Sequence, residues 1–307
     1  MRPFYVSTTP HESVERMDYD GGCALAARAR GKTKRVLLRA PVVNQWFRFR
    51  YLARLGRHAE NLPWLTRDRF DLVAELRQNG VAMRDATSII PPAVLQVADR
   101  MVGQLRNSTT PKNCVEISLE DLAANPALYK WGLTDENLDL AEYHIGLPTQ
   151  YMGVGVKRER ADGVAADFRQ WHIDIEDRRM LKIIVYLDDV DEGCGPFEYV
   201  NPQWTDHAVR TLPYISGFVP DSAMARVVPT QEWIRATGPR LSAIFVDTSR
   251  VFHRAKPPTT TDRYSMTFSY SSMSPFQTFP EYRQSRAALK EACAELTPRQ
   301  QRAMILK

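Results

Sequence analysis

A histidine and an acid stand two residues apart near the middle of the chain, in the stretch Trp171-His172-Ile173-Asp174. On an extended chain, side chains at positions i and i+2 point to the same face, so the imidazole and the carboxylate converge. A second histidine from elsewhere would complete a set of two nitrogens and one oxygen. Such a set binds a transition metal on one side and leaves the other side open to reactants. The stretch therefore predicts one half of a metal site.

A histidine and an acid two residues apart are weak evidence for a metal site when taken alone. A chain with 6 histidines and 36 acidic residues is expected to contain such a pair by chance, and His58-Ala59-Glu60 repeats it. The context favours His172, because a β-rich run at 181–187 follows it after a charged turn. A second candidate, His253, follows another apolar run at 241–246. We therefore predict that His172, Asp174 and His253 bind one metal ion.

Arg263 and Ser265 follow His253 after a short interval and are again two residues apart, so they share one face of a strand. A guanidinium can donate two parallel hydrogen bonds to a carboxylate, and the hydroxyl can add another. The pair is a candidate receptor for a carboxylate close to the metal.

Short β-type runs separated by Gly, Pro, Asp and Asn would position these residues. The candidate strands are 140–143, 151–157, 181–187, 197–200, 241–246 and 264–270. Two helices precede most of them. One, at 67–79, starts after Thr66 and ends at Gly80, and the other follows Pro91-Pro92 with an apolar stripe. Strands with polar turns and no regular helices between them predict a sandwich, a jelly roll or a barrel.

We expect three parts along the chain. Residues 1–60 form a basic extension with strand candidates at 36–38 and 42–43, and its sequence assigns it no function. Residues 61–280 form the β domain. Within it, residues 201–240 lack periodicity, are interrupted by prolines and are expected to form a lid-like insertion. Residues 281–307 form C-terminal helices that pack on the same domain, the first at 281–296 and the last beginning at Thr297-Pro298.

Composition is that of a soluble globular protein, with 44% hydrophobic and 25% charged residues. No apolar run approaches the roughly 20 residues that span a bilayer, and the N-terminus has no apolar segment typical of a secretory signal. Four cysteines without a Cys-x-x-Cys pair argue against a structural zinc site or a disulfide framework and favour a reducing, cytoplasmic location.

The net charge of +5 is concentrated between Arg28 and Arg57, where basic residues alternate with aromatic ones. Such a mixture can track a nucleic-acid backbone and stack on bases. No nucleic-acid-binding motif accompanies the charge. We therefore expect a small molecule, and not nucleic acid or a membrane, as the partner.

Taken together, the motifs resemble a known enzyme family. The order His172-x-Asp174, His253, Arg263-x-Ser265 is similar to the pattern of the Fe(II)/2-oxoglutarate-dependent oxygenases. The runs at 182–190 (KIIVYLDDV) and 195–200 (GPFEYV) resemble the phytanoyl-CoA dioxygenase-like branch. The likeness covers residues 140–272 well and extends more weakly to the helix at 67–79. One departure is at 201–204 (NPQW), where that branch often has Pro-Gly-Ser-His.

This resemblance implies a mainly β fold, a double-stranded β-helix or jelly roll with helices packed on one sheet. It implies Fe(II) as the metal bound by the three ligands, and 2-oxoglutarate as a cosubstrate held by Arg263 and Ser265. Lys157, Arg158 and Arg160, on or just after an earlier strand, are further candidates for holding the cosubstrate. It also implies that 2-oxoglutarate and O2 become succinate and CO2 while a C–H bond of a small molecule is oxidised, as in specialised metabolism. Because Asp174 is present, hydroxylation is favoured over the halogenation of relatives that have a small residue there.

Residues near the motifs have less specific roles. Gln170, Trp171 and Tyr199 are candidates for the substrate pocket, although sealing of the barrel is the favoured role of Trp171. His144-Ile145-Gly146 copies the halogenase pattern without its context, and we expect His144 to pack or form a hydrogen bond near the first sheet. The turn at 176–179 (EDRR) is expected to be a solvated hairpin region.

Three alternatives stay open. A metal-dependent cupin that needs no cosubstrate shares the jelly roll, but the position of Arg263 after His253 argues against it. A binding module that has kept the metal ligands without catalysis predicts no succinate under any conditions. An oxygenase acting on nucleic acid or protein would use the basic segment 28–57, and salt-sensitive binding to an oligonucleotide would support it.

Overall fold

The computed structural model describes residues 41–276 and 294–304. The strands of this part are β1 Val81–Asp85, β2 Cys114–Glu116, β3 Thr149–Glu159, β4 Leu181–Tyr186, β5 Phe197–Tyr199, β6 Ile234–Ala236, β7 Ser242–Val246, β8 His253–Ala255 and β9 Arg263–Ser272. They form a larger sheet with the order β1-β7-β4-β9-β3-β2 and a smaller sheet with the order β6-β5-β8. Every pairing between these strands is antiparallel.

The helices of the same part are α1 Pro41–His58, α2 Arg67–Asn79, α3 Pro92–Asn107, α4 Leu119–Ala124, α5 Pro126–Gly132, α6 Asp135–Ile145, α7 Pro202–Thr211, α8 Asp221–Met224 and α9 Pro298–Ala303. Helices α2 and α6 each have acidic residues in the first turn and end at a glycine with positive φ, Gly80 at 76° and Gly146 at 78°. A residue with a Cβ would be strained in this left-handed conformation, so these glycines fix where the helices end.

The two faces of the larger sheet have different characters. The even-numbered residues 264–270 of β9 are all apolar and belong to the largest core cluster, together with residues of α2 to α6. Neighbouring side chains of a strand point to opposite faces, so the odd-numbered residues 263–269 lie on the inner face. Directly paired with them on that face are Lys157 and Glu159 of β3 and Lys182 and Tyr186 of β4.

A second apolar cluster joins the two sheets. Tyr186, Ile244 and Val246 of the larger sheet pack with Phe197 and Ala236 of the smaller sheet. The inner face of the larger sheet is therefore covered by the smaller sheet. The charged residues on that face are enclosed between the sheets, where a charge needs a partner or a ligand.

The segment 201–240 contains regular structure, namely α7, α8 and β6. Its residues Tyr214 and Met224 form a third apolar cluster with Trp171 and Phe252. These last two residues immediately precede the candidate ligands His172 and His253. The insertion therefore packs against both stretches of chain that carry the candidate histidines.

Most elements expected from the sequence are confirmed. The predicted strands at 151–157, 181–187, 197–200, 241–246 and 264–270 correspond to β3, β4, β5, β7 and β9. Helix α2 ends at Gly80 as predicted, and α3 starts at Pro92. The last helix, α9, begins after Thr297, whose side chain forms a capping box with Gln300.

Two strand predictions are wrong. Residues 140–143 lie within α6, and residues 42–43 lie within α1. The buried residues Leu138, Ala141 and Ile145 recur at spacings of three and four, which is the helical period. Because α4, α5 and α6 also occupy the region after β2, helical residues outnumber strand residues in the described chain. The fold is mixed and not mainly β.

The predicted strand at 36–38, the basic residues before position 41 and most of the predicted helix at 281–296 lie outside the described residues. Among residues 41–276 and 294–304, none of the helices combines the length and apolar character that crossing a membrane requires.

A buried hydrogen bond links the loop after β7 to helix α6. Nε2 of His144 lies 3.1 Å from Oδ2 of Asp247, and both side chains are 1% exposed. Oδ1 of Asp247 accepts hydrogen bonds from the N–H of Met180 at 3.2 Å and the hydroxyl of Ser249 at 2.7 Å. His144 thus has the packing role expected from the sequence.

Replacing Asp247 with alanine is expected to lower the free energy of unfolding by roughly 2–6 kcal/mol, because it leaves the buried donors of His144 and Met180 without an acceptor, at roughly 1–3 kcal/mol each. Urea denaturation measures this difference. The Asp71→Ala variant, which removes an exposed ion pair with Arg67, should be nearly as stable as the intact protein. Equal stability of the two variants would show that the His144 pair does not stabilise the loop.

Candidate metal centre

A β-bridge brings the two candidate histidines side by side. The N–H of His172 donates to the carbonyl of His253, and the N–H of His253 donates to the carbonyl of His172, each at 3.0 Å. The centres of the two imidazole rings are 4.3 Å apart. His253 is the first residue of β8. The backbone therefore fixes the spacing of the two rings.

Hydrogen bonds also orient each ring. Nδ1 of His172 lies 2.9 Å from the carbonyl oxygen of Gln170, and Nδ1 of His253 lies 3.0 Å from that of Val251. A carbonyl oxygen can only accept, so each Nδ1 carries the proton and each Nε2 has a free lone pair. Metal-binding histidines are usually oriented in this way.

Asp174 completes the set from the loop that follows. Its N–H donates to the carbonyl of Thr248 at 2.9 Å, next to the buried Asp247. Oδ1 of Asp174 lies 3.7 Å from Nε2 of His172 and 3.8 Å from Nε2 of His253. The ligand atoms of the three residues all lie within 4.8 Å of one another. The structure therefore brings together the three residues that the sequence selects as ligands.

The protonation states suit a metal cation. Burial lowers the pKa of His253 to about 3, with repulsion from His172 adding to the effect, and burial also lowers the pKa of His172. Burial alone would raise the pKa of Asp174, but the ammonium of Lys182 and the two imidazoles outweigh it, so this pKa is lowered. At neutral pH the set is two neutral imidazoles and one carboxylate, which is the form that binds metal.

Arg263 and Ser265 lie at the start of β9 on the inner face and are 4% and 1% exposed. Across the strand pair, Arg263 is opposite Glu159 and Ser265 is opposite Lys157. Nη1 of Arg263 is buried and has no hydrogen-bond partner among the described residues. Because an unsatisfied buried donor is costly, this guanidinium is suited to an incoming carboxylate.

A buried ion pair beside Arg263 is a feature that no sequence spacing predicts. Glu159 is fully buried, and its Oε2 accepts a hydrogen bond from Nε of Arg169 at 2.7 Å. Nζ of Lys157 lies 3.7 Å from Oε1 of Glu159. Burial alone would raise the pKa of Glu159, but Lys157, Arg263 and Arg169 together lower it. Glu159 thus balances a concentration of positive charge at this end of the inner face.

The other basic candidates on and after β3 occupy different places. Lys157 lies on the inner face, on the same side of the sheet as Arg263. Arg158 points to the outer face and donates to the carbonyl of Leu105 at 2.8 Å. Arg160 donates to the carbonyl of Pro111 at 2.5 Å. Of these three, Lys157 alone is placed to reach an anion between the sheets.

Two residues outside the predicted set contact the candidate ligands. Nζ of Lys182 lies 2.6 Å from Oδ2 of Asp174, and the ring of Phe218 meets the ring of His172 edge-on at 5.4 Å. Lys182 has a sequence signal, because it is a charged residue within the apolar run of β4. Phe218 has none, because it lies in the insertion without periodicity.

The turn at 176–179 is not the solvated hairpin expected from its charges. Glu176 and Asp177 are 5% and 8% exposed. Oδ2 of Asp177 accepts a hydrogen bond from the N–H of Ser272 at 2.9 Å. Burial raises the pKa of Glu176 to about 7, and the charge of Asp174 adds to the effect. Packing against β9 thus buries acids that their sequence context would place in water.

Trp171 lies in the core beneath the ligands. It is fully buried, and its indole N–H donates to Oδ1 of Asp221 at 3.0 Å. The guanidinium of Arg254 lies 4.8 Å from the centre of its ring. These contacts are those of a residue that seals the protein interior.

Gln170 and Tyr199 border the ligand set. The backbone carbonyl of Gln170 accepts the hydrogen bond that orients the ring of His172. Tyr199 is half-buried at the end of β5 and stacks on Phe197 at 6.0 Å, and Phe197 in turn stacks on His253 at 5.5 Å. Both residues are near enough to line a pocket, and their contact with a substrate stays a prediction.

Comparison with known proteins adds information on the fold. No protein-family model and no curated protein matches the sequence. The crystal structure of EctD from S. alaskensis with bound Fe is 15% identical, with a TM-score of 0.50 over 72% of this chain and 85% of EctD. The chain shares the fold of EctD. HygX from Streptomyces hygroscopicus, solved with nickel and 2-oxoglutarate, is 13% identical, with a TM-score of 0.47 over 69% of this chain and 88% of HygX.

The donor set of this chain fits a first-row transition metal. Two imidazole nitrogens and one carboxylate oxygen with an open side are typical of non-haem Fe(II) sites. Adjacent donors around such an ion are roughly 3 Å apart, so small side-chain rotations would close the observed separations. The unpartnered Nη1 of Arg263 on the same inner face fits an anionic cosubstrate.

Proposed function

We propose that the protein is an Fe(II)/2-oxoglutarate-dependent oxygenase that hydroxylates a C–H bond of a small molecule while 2-oxoglutarate and O2 become succinate and CO2. The observation that carries this proposal is the convergence of His172, Asp174 and His253 within 4.8 Å. Nη1 of Arg263, which is buried between the same two sheets without a hydrogen-bond partner among the described residues, supports it. The two sheets would then be the halves of a double-stranded β-helix of the phytanoyl-CoA dioxygenase-like kind.

Nε2 of His172, Nε2 of His253 and Oδ1 of Asp174 would hold the metal. Bound Fe(II) would supply the activation of O2 that the protein's own side chains cannot perform. The carbonyls of Gln170 and Val251 keep both rings in the orientation that binding needs. Because the three donors occupy one side of the metal, the other side would be open to the cosubstrate, to O2 and to the approach of the substrate.

Arg263 and Ser265 would hold the distal carboxylate of 2-oxoglutarate. A bidentate guanidinium–carboxylate contact fixes the orientation as well as the position of the cosubstrate. Lys157 adds positive charge on the same face, and the ion pair of Glu159 with Arg169 stabilises the strand end from which Arg263 projects. This requirement for an anion favours a 2-oxoglutarate enzyme over a cupin that needs no cosubstrate.

The insertion at 201–240 would form the substrate side of the pocket. Phe218 contacts the ring of His172, and the hydroxyl of Tyr214 accepts a hydrogen bond from the N–H of Ile173 at 3.2 Å. The insertion therefore touches the ligand loop directly, and residues at its surface are positioned to select the substrate. Tyr199 and Gln170 would border the same pocket.

Anaerobic visible absorption of the purified protein with Fe(II) tests this proposal. Addition of 2-oxoglutarate is expected to produce a metal-to-ligand charge-transfer band, and the His172→Ala variant should not produce it. Succinate formed from 2-oxoglutarate in air, measured in parallel, reports turnover. Absence of the band when iron is bound would favour a cosubstrate-independent enzyme. Absence of iron binding would favour a non-catalytic binding module.

A further inference from the structure

The two oxygens of Asp174 have different neighbours. Oδ1 faces the histidines, at 3.7 Å from Nε2 of His172 and 3.8 Å from Nε2 of His253. Oδ2 lies 2.6 Å from Nζ of Lys182, with which it forms an ion pair. The side chains of Asp174 and Lys182 are 9% and 18% exposed, so water screens this contact only weakly.

The two partners are held by separate elements. Lys182 lies in the interior of the larger sheet, where its strand pairs with β7 at Val246 and with β9 at Ser269. Asp174 is held through its backbone N–H by the carbonyl of Thr248. Because neither backbone position depends on the contact, the lysine and the carboxylate are brought together by the fold.

The strand pattern also makes the position of Lys182 unusual. On β4, Leu181, Ile183 and Val185 point to the outer face and join the main core, while Ile184 and Tyr186 share the inner face with Lys182. An ammonium group enclosed beside apolar neighbours costs free energy unless a negative charge offsets it.

We propose that Lys182 is a positioning residue for the metal-binding carboxylate, which it restricts to one-oxygen binding through Oδ1. The proposal rests on the proposed metal site. With Oδ2 held by the lysine, Asp174 would take a single coordination position. Without the lysine, the carboxylate could turn and bind through both oxygens, taking a position that 2-oxoglutarate needs. The charge of Lys182 would thus act through Asp174 on cosubstrate binding.

The test compares the intact protein with Lys182→Met and Lys182→Arg, each loaded with Ni(II), which resists oxidation. Crystal structures or X-ray absorption spectra give the number of Asp174 oxygens on the metal. Calorimetry gives the affinity for 2-oxoglutarate at saturating Ni(II). We expect one-oxygen binding in the intact protein, two-oxygen binding in Lys182→Met, and an affinity for 2-oxoglutarate that falls roughly 10- to 100-fold in Lys182→Met.

Lys182→Arg, which keeps a positive charge that can pair with Oδ2, should restore one-oxygen binding and most of the affinity. Lys130→Met is the control, because Lys130 contacts Glu295 on the surface, and both readouts should be unchanged. Weaker 2-oxoglutarate binding with one-oxygen Asp174 in Lys182→Met would overturn the proposal, since Lys182 would then contact the cosubstrate itself. Separation of Lys182 from Asp174 in the Ni(II)-loaded intact protein would also overturn it. Failure of the intact protein to bind Ni(II) would instead contradict the proposed function.

Discussion

The His253→Ala variant is expected to lose Fe(II) binding and all succinate formation. Its imidazole is one of the three proposed donors, and the remaining pair, His172 and Asp174, would leave the ion with only two protein ligands. Changing the outer contacts of a metal ligand costs roughly 10- to 100-fold in affinity, and loss of the ligand itself should exceed this range. Equilibrium dialysis against Fe(II) under anaerobic conditions measures the affinity, and succinate formation measures the turnover.

The matched control is His58→Ala. His58 stands in the same His-x-acid spacing in His58-Ala59-Glu60, but its Nε2 lies 2.8 Å from Oε1 of Glu142, away from the ligand set. This variant should bind Fe(II) as the intact protein does. Retained Fe(II) binding in His253→Ala, with the variant folded, would contradict the ligand assignment. The comparison thus separates a spacing that arises by chance from one that forms a site.

The grouping of the three candidate ligands could be predicted in part, because the geometry of one pair is local. The same-face relation of His172 and Asp174 follows from the extended backbone alone, and so does that of Arg263 and Ser265. His253 needed a further condition, an apolar strand shortly before it. Strand β7 meets that condition, and the backbone bridge between His172 and His253 then brings the two rings together. The pairing itself is long-range and has no sequence signature.

The errors arose where tertiary packing decides the structure. The apolar residues at 140–143 fit a strand or a helix equally well in so short a window, and burial of Leu138, Ala141 and Ile145 against the sheet selects the helix. The acids at 176 and 177 look solvated in sequence, yet β9 buries Asp177 through the N–H of Ser272. Such burial depends on residues almost 100 positions away along the chain.

The other residues that surround the site also depend on tertiary packing. Glu159 and Arg169 meet across a loop, and Phe218 reaches His172 from an irregular insertion. Lys182 differs, because its charge interrupts an apolar strand at a position that alternation assigns to the interior. A charged residue at an inward position of a central strand therefore predicts a nearby partner of opposite charge, here Asp174.

Replacing Arg263 with alanine is expected to weaken binding of 2-oxoglutarate by roughly 100-fold or more, while Fe(II) binding stays intact. Hydrogen bonds to charged groups contribute about 1.5–3 kcal/mol each, and a bidentate guanidinium would lose two of them. The charge-transfer band measures this change when 2-oxoglutarate is titrated into the anaerobic Fe(II) protein. The affinity of Arg263→Lys for 2-oxoglutarate should lie between those of the intact protein and Arg263→Ala, because an ammonium keeps the charge but cannot form the two parallel hydrogen bonds.

Arg158→Ala is the matched control for Arg263→Ala. Arg158 is also a buried arginine of the larger sheet, at 6% exposure, but it lies on the outer face and donates to the carbonyl of Leu105. Loss of either arginine should lower stability, whereas Arg263→Ala alone should change the affinity for 2-oxoglutarate. Glu159 keeps Arg169 and Lys157 as neighbours in Arg263→Ala, so the strand end should stay folded. Equal affinities in the two variants would mean that the cosubstrate is anchored elsewhere, with Lys157 as the next residue to replace.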